Sequence, residues 1–340
     1  MKTALSDREW LVLQALVKAH TATGAPIGSS TLAVEGKLGI SSATVRNILV
    51  ALENKGCVRQ PHTSAGRIPT DKGYRCYVEE GMVAERFLQE EGGAMVQEEL
   101  DRKMPLTNDQ ILLQLARVIG DISQHLGVVM ASRFEQGIFH KLELSRLSAH
   151  RLLVVVSIEQ GLVKSLVTRL DTQVSQPELE EICRRLNERL SGLSMAQIRY
   201  SLGRRVESLP VKYRPLLRRL VDDVADLTYA GSADLHVAGA HYLCQQPEFR
   251  DGGKMAELME MVEHRDSLAG LLRERQGMVI TIGREHQSSA MRTCSLVTSS
   301  YEVNGARGVI GVIGPTRMPY GRMVALVQHA ASRAASLAAS

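Results

Sequence analysis

The sequence predicts an α+β protein of several domains: a winged helix-turn-helix at the N-terminus, then a sheet-bearing body interrupted by a mainly helical segment. Its 340 residues exceed what one hydrophobic core usually serves. The first 78 residues read as three helices and a hairpin. Alternating apolar runs then fall into two groups, 127–170 and 278–313, with helix-period sequence between them.

Ser6-Asp7-Arg8-Glu9 has the S-x-x-E form of a capping box, and Trp10, Leu13, Leu16 and Val17 follow at helical spacing to about His20. Thr23-Gly24-Ala25-Pro26 breaks that helix. Ser29 or Ser30 caps a short second one, Thr31 to Glu35, which Gly36 and Gly39 end. Ser41 caps a third helix running to Lys55, with Gly56 at the left-handed position beyond its end.

On the third helix Val45, Ile48, Leu49 and Leu52 share one apolar face. Ser41, Ser42, Ala43 and Thr44 at its start, and Arg46, Asn47 and Val50 on its other side, make a small and polar surface. Short residues let a backbone enter the major groove. There Asn47 can pair with adenine, Val50 can touch a thymine methyl, and Arg46 can reach guanine or the flanking phosphates. A plain amphipathic helix in a bundle shows the same faces. The sequence that follows favours the DNA reading: Cys57–Gln60 suits a short strand, and Pro61 to Pro69 is a Gly/Pro-bounded loop before a second extended piece. A wing carrying His62, Ser64 and Arg67 places hydroxyls and a cation on phosphates or in the minor groove, the alternative for Arg67 being a surface ion pair.

Charge agrees. Ten Lys/Arg against five Asp/Glu up to Val78 put +5 on the head and leave −1 on the rest of a chain of net charge +4. A basic head on a near-neutral body is the footprint of a nucleic-acid-binding module. The five cysteines stand singly, without C-x-x-C pairs, and read as reduced, mostly buried thiols. With no basic-then-apolar leader and no apolar run of bilayer length, the expectation is a soluble cytoplasmic protein without a membrane partner.

In the body, Gly81 to Lys103 is acidic and helix-prone, and Asp109 to His125 repeats apolar residues at helical spacing. Strands are expected at 127–130, 138–147, 151–158 and 162–170, with Glu159-Gln160-Gly161 as a hairpin turn. Pro177 opens a helix to about Leu190, and Gly203 to Arg275 is dominated by helical patterns. Strands resume at 278–282, 294–303 and 308–313, where Asn304-Gly305 signals a hairpin. An enzyme is not expected: there is no P-loop, H-E-x-x-H or G-x-S-x-G. Gly308, Gly311 and Gly314 lack dinucleotide spacing, and His236 with His241 reads as an ordinary polar pair. No cofactor or metal is called for.

The segments P-I-G-S-S-T-L (26–32), S-S-A-T-V-R-N (41–47) and H-T-S-A-G-R-I-P-T-D-K-G-Y-R (62–75) closely resemble the heat-inducible transcription repressor family HrcA. So do S-L-V-T-S-S-Y (295–301) and G-V-I-G-P-T-R-M-P-Y (311–320). The resemblance implies a winged-helix domain at 1–78, a helical linker at 79–104, and a GAF-like domain at 105–190 and 276–340 split by an inserted dimerising domain at 191–275. It implies repression of chaperone and chaperonin operons by a homodimer on double-stranded DNA bearing an inverted repeat, with activity dependent on chaperonin. The alternatives are a small-molecule-sensing regulator using the GAF-like pocket and, from another class, an enzyme fused to a winged-helix head.

Overall fold

The computed structural model describes residues 5–63, 65–81, 98–99, 101–102, 111–130, 137–159, 163–169, 174–206, 216, 219, 235–273, 275–303 and 306–337. Helices and antiparallel strands mix in an α+β arrangement. Two compact units emerge: Met1–Val129 with His236–Ser300 and Val309–Arg333, and Met130–Leu235 with Tyr301–Gly308 and Ala334–Ser340.

The first unit begins with helix α1 (Asp7–Thr23). Its capping box forms as the sequence indicates, the Ser6 amide donating to Glu9 Oε2 at 2.7 Å. Gly24, at φ +71°, stops the helix. Helices α2 (Ser29–Glu35) and α3 (Ser42–Asn54) follow, α2 starting after Gly28 rather than after a serine cap. Val12, Leu13, Leu16, Val17, Leu32, Val45, Leu49 and Leu52 are all buried and form the common core of the three helices. At about 1.5–3 kcal/mol per fully buried aliphatic side chain, this core dominates the stability of so small a layer.

Strands β1 (Val58–Arg59) and β2 (Ile68–Pro69) pair antiparallel. A third stretch joins them, because Ile27 and Arg67 exchange both backbone hydrogen bonds, at 2.9 and 2.8 Å. Gly66 allows this: a Cβ there would lie 2.3 Å from the Ile27 carbonyl. Helix α4 (Asp71–Gly81) then turns back onto the head, Thr70 capping it through the Gly73 amide.

Helix α5 (Ile111–Ser123) and strand β3 (Leu126–Met130) lead into the second unit. There β4 (Phe139–Ser148), β5 (Arg151–Ile158) and β6 (Val163–Arg169) form their own antiparallel sheet, β4-β5-β6. Helices α6 (Gln176–Leu190) and α7 (Met195–Val206) join Phe139, Leu142, Leu152, Val154, Val156 and Ile158 in one core. The Asn187 amide clips α6 to β4, its Oδ1 accepting from the Leu142 amide at 2.7 Å and its Nδ2 donating to the Leu142 carbonyl at 2.9 Å.

The chain re-enters the first unit through β7 (Leu235–Ala238). Helices α8 (Ala240–Gln245), α9 (Gly252–Glu263) and α10 (Arg265–Arg273) precede β8 (Met278–Ile282), β9 (Cys294–Val303), β10 (Ala306–Pro315) and α11 (Tyr320–Leu337). The sheet order is β7-β3-β10-β9-β8. The strands expected at 138–170 therefore do not join those at 278–313, and the expected boundaries at 190 and 275 do not coincide with the units observed. Residues 160–161 and Asn304-Gly305, read as turns, lie outside the described residues, as does most of the 79–104 linker. Among the described residues no helix is long and apolar enough to cross a membrane.

Within the first unit, the head is gripped by the five-stranded sheet and its turns. Arg75 donates to the Ile280 carbonyl at 2.7 Å and pairs with the Glu285 carboxylate. Asp71 accepts from the Arg284 amide at 2.9 Å. Arg317, paired with Glu248 at 2.6 Å, donates to the Thr21 carbonyl at 2.9 Å.

Candidate nucleic-acid interface

The N-terminal half of α3 presents the surface that its periodicity promised. Ser41 Oγ accepts from the Thr44 amide at 3.2 Å and fixes where the helix starts. With Val45, Leu49 and Leu52 turned into the core, Ser41, Ser42, Ala43, Arg46, Asn47 and Val50 are exposed, and Thr44 is half-buried. Val50 is 43% exposed, unusual for a valine, and lies on the same side as Asn47.

The far end of α3 is locked. Gly56, at φ +74°, donates to the Glu53 carbonyl at 2.8 Å while the Cys57 amide donates to the Leu52 carbonyl at 2.9 Å, a Schellman termination. Lys55 reaches across to Glu9 at 2.8 Å. That contact, together with the Ser6 amide, holds the Glu9 carboxyl below its usual range, so the pair ties the start of α1 to the end of α3 as a charged strut.

The hairpin residues fare differently. His62 is exposed, Ser64 lies outside the described residues, and Arg67 is half-buried. Arg67 Nη2 sits 2.9 Å from Glu53 Oε2, and its buried Nε has no hydrogen-bond partner among the described residues. The other Glu53 oxygen accepts from the Gln60 amide at 3.1 Å. Gln60 Nε2 in turn donates to the Thr63 and Ala65 carbonyls at 2.8 and 2.9 Å, hanging the loop that carries His62. Glu53 and Gln60 thus position the hairpin against α3, a role for which neither spacing nor composition gave any signal. The arrangement offers one exposed polar face, with a loop held beside it through Glu53 and Gln60.

Chemistry of other kinds finds little footing in the head. Cys57 and Cys76 are buried with sulfurs 4.0 Å apart, and burial, reinforced by the neighbouring Cys76, pushes the Cys57 thiol up to about 12. Such a thiol is a poor nucleophile at neutral pH. Elsewhere Cys294 is buried, Cys183 half-buried and Cys244 exposed, the last an exception among thiols expected to be mostly buried. Among the described residues no group of three or more His, Cys, Asp and Glu could hold a metal ion.

Residues 109–324 match the family model for the HrcA protein C terminal domain. The chain is 38% identical over 97% of its length to a protein from Chlorobium phaeobacteroides named heat-inducible transcription repressor HrcA, covering 97% of that relative. A Natranaerobius thermophilus protein of the same name is 33% identical over 97% of the chain and 96% of its own length. Among solved structures, a crystal structure described only as a hypothetical protein matches with a TM-score of 0.61 at 21% identity, covering 99% of both chains, which supports the fold alone.

Proposed function

Since the chain belongs to the HrcA family of heat-inducible transcription repressors, we propose that it is a sequence-specific DNA-binding repressor of chaperone and chaperonin operons. It reads an inverted-repeat operator as a homodimer in the cytoplasm, and its activity depends on chaperonin. The observation that carries this reading is the exposed row Ser42, Ala43, Arg46, Asn47 and Val50 on one side of α3. The head is read as a winged helix, α3 as its recognition helix in the major groove, and β1, β2 and their loop as its wing. The five-stranded sheet and its helices are read as the GAF-like part. Nothing in this reading calls for catalysis.

The β4-β5-β6 sheet supports the dimer. One face packs on α6 and α7. On the other, the register sets Leu153 opposite Val167 and Ser157 opposite Val163, with Val163 60% and Val167 46% exposed. Such an apolar strip suits a self-complementary two-fold contact. On this reading the dimer contact lies in 139–169, upstream of the 191–275 segment that the resemblance implied.

The test is a salt series on the repressor's own operator and on a scrambled duplex, using Asn47→Ala, Arg46→Ala and Arg67→Ala. Asn47→Ala should cost about 1–3 kcal/mol on the operator and much less on the scramble. Arg67→Ala should weaken both duplexes and reduce the log-affinity against log-salt slope by about one if the side chain leaves Glu53 for a phosphate. An unchanged slope makes it a strut of the wing. Arg46 is assigned to base or backbone by the same slope. Three unchanged affinities would remove the head as the DNA-reading element.

A further inference from the structure

Arg275 lies between α10 and β8 at the edge of the five-stranded sheet. Its Nε donates to the Leu271 carbonyl at 2.9 Å, Nη2 to Thr281 Oγ1 at 2.7 Å and Nη1 to Thr298 Oγ1 at 3.4 Å. A guanidinium carries five N–H groups. One on each terminal nitrogen is left without a partner among the described residues. No carboxylate of the described residues pairs with it, and burial alone brings the guanidinium down to about 10.

The residues around it have unused capacity as well. The register pairs Val279 with Thr298 and Thr281 with Leu296, so Thr281 and Thr298 share one face of the sheet. Thr298 donates its own proton to the Val279 carbonyl at 3.2 Å, whereas the Thr281 hydroxyl accepts from Arg275 and keeps its proton to give. His286, 5% exposed, bonds the Thr281 carbonyl, and its buried Nε2, an acceptor, has no partner among the described residues. Burial first, and the charge of Arg275 second, bring its imidazole down to about 4, so it is neutral at pH 7. Among the described residues, a permanent cation without a counter-ion and a spare hydroxyl proton therefore meet beside β8. Burying such groups unpaired is costly, and an anion relieves the cost.

We propose that Arg275 and Thr281, beside the neutral His286 ring, form a binding site for a small monocarboxylate. Two free N–H groups, one on each terminal nitrogen, suit the paired oxygens of a carboxylate, and the Thr281 hydroxyl adds a third donor. One negative charge balances the single cation, whereas a phosphate dianion leaves an excess. Access is from the sheet edge, where Gln276 and Gly277 are exposed and Met278 to Thr281 are only half-buried. The same strand and turn supply the Ile280 carbonyl, the Arg284 amide and Glu285 that grip α4 of the head. The ligand thus sits beside the mount of the DNA-reading domain.

The experiment is a titration of the full-length protein, carrying ¹³Cε1-histidine, with sodium acetate at pH 7 and constant ionic strength held by chloride. His286→Gln assigns the signal. A saturable shift of the His286 resonance, with a parallel rise in Tm, is expected. Arg275→Gln should weaken the apparent affinity at least tenfold, about 1.4 kcal/mol, and Arg275→Lys, which keeps the charge and loses the fork, less so. The wild-type titration stands even if a variant folds poorly. A shift that never saturates, or that chloride reproduces at the same concentration, would overturn the proposal. Neither readout involves DNA, so its failure leaves the repressor reading intact.

Discussion

His20, His125 and His286 are each held near 4, chiefly by burial. In the unfolded chain a histidine takes up its proton near 6.5. Between those values the unfolded state binds more protons than the folded one, so stability falls as the pH drops from about 6.5 to about 4 and levels off below. For the two most buried, His125 and His286, the loss is about 1–3 kcal/mol each. Urea midpoints measured from pH 7 to pH 4.5 should fall along that curve, and His125→Gln should flatten it. A midpoint constant across that range would show that the rings titrate freely. Of the residues in the candidate interface, Asn47 and Val50 were legible in the sequence, because helical periodicity decides which side of α3 faces water once the core side is known. Glu53 was not, since its partners, Gln60 and Arg67, meet it only after the chain has turned through Gly56 and the hairpin.

Helix α3 was readable end to end, from the Ser41 cap to Gly56, because each signal acts within one turn of chain. Helix α4 was not, although it anchors the head to the sheet. Its sequence is polar and contains Gly73, which counts against a helix on propensity. The structure supplies the reason for the glycine: a Cβ there would lie 2.0 Å from the Cys57 carbonyl oxygen. Gly73→Ala should therefore push α4 off β1 and destabilise the head by about 1–3 kcal/mol. Faster labelling of Cys57 and Cys76 by a thiol reagent, beside a lower urea midpoint, is the expected readout. Labelling at the wild-type rate would mean that α4 accommodates the methyl group. The same limit explains the sheets. Alternation in 138–170 shows that a strand has one buried face, and says nothing about which sheet it enters. The four residues of β7 were too few to interrupt a helical pattern.

Across the whole molecule, the exposed strip on β5 and β6 carries a prediction about assembly. Val163→Lys with Val167→Lys should turn the proposed dimer into monomers in light scattering while leaving the far-UV circular dichroism unchanged. Val34→Lys, at a position on the head that is 77% exposed, should leave the proposed dimer intact. A double variant that still runs as a dimer would move the contact elsewhere. The five-stranded sheet also has a bearing on time. Its second strand, β3, is buried at every position from Leu126 to Met130, between β7 and β10. Those neighbours begin only at Leu235 and Ala306, so β3 leaves the ribosome long before either exists. At about 5–20 residues per second it waits on the order of ten seconds with both edges unpaired. The pace of translation, rather than the stability of the finished sheet, sets how long each new chain offers that strand to whatever will cover it.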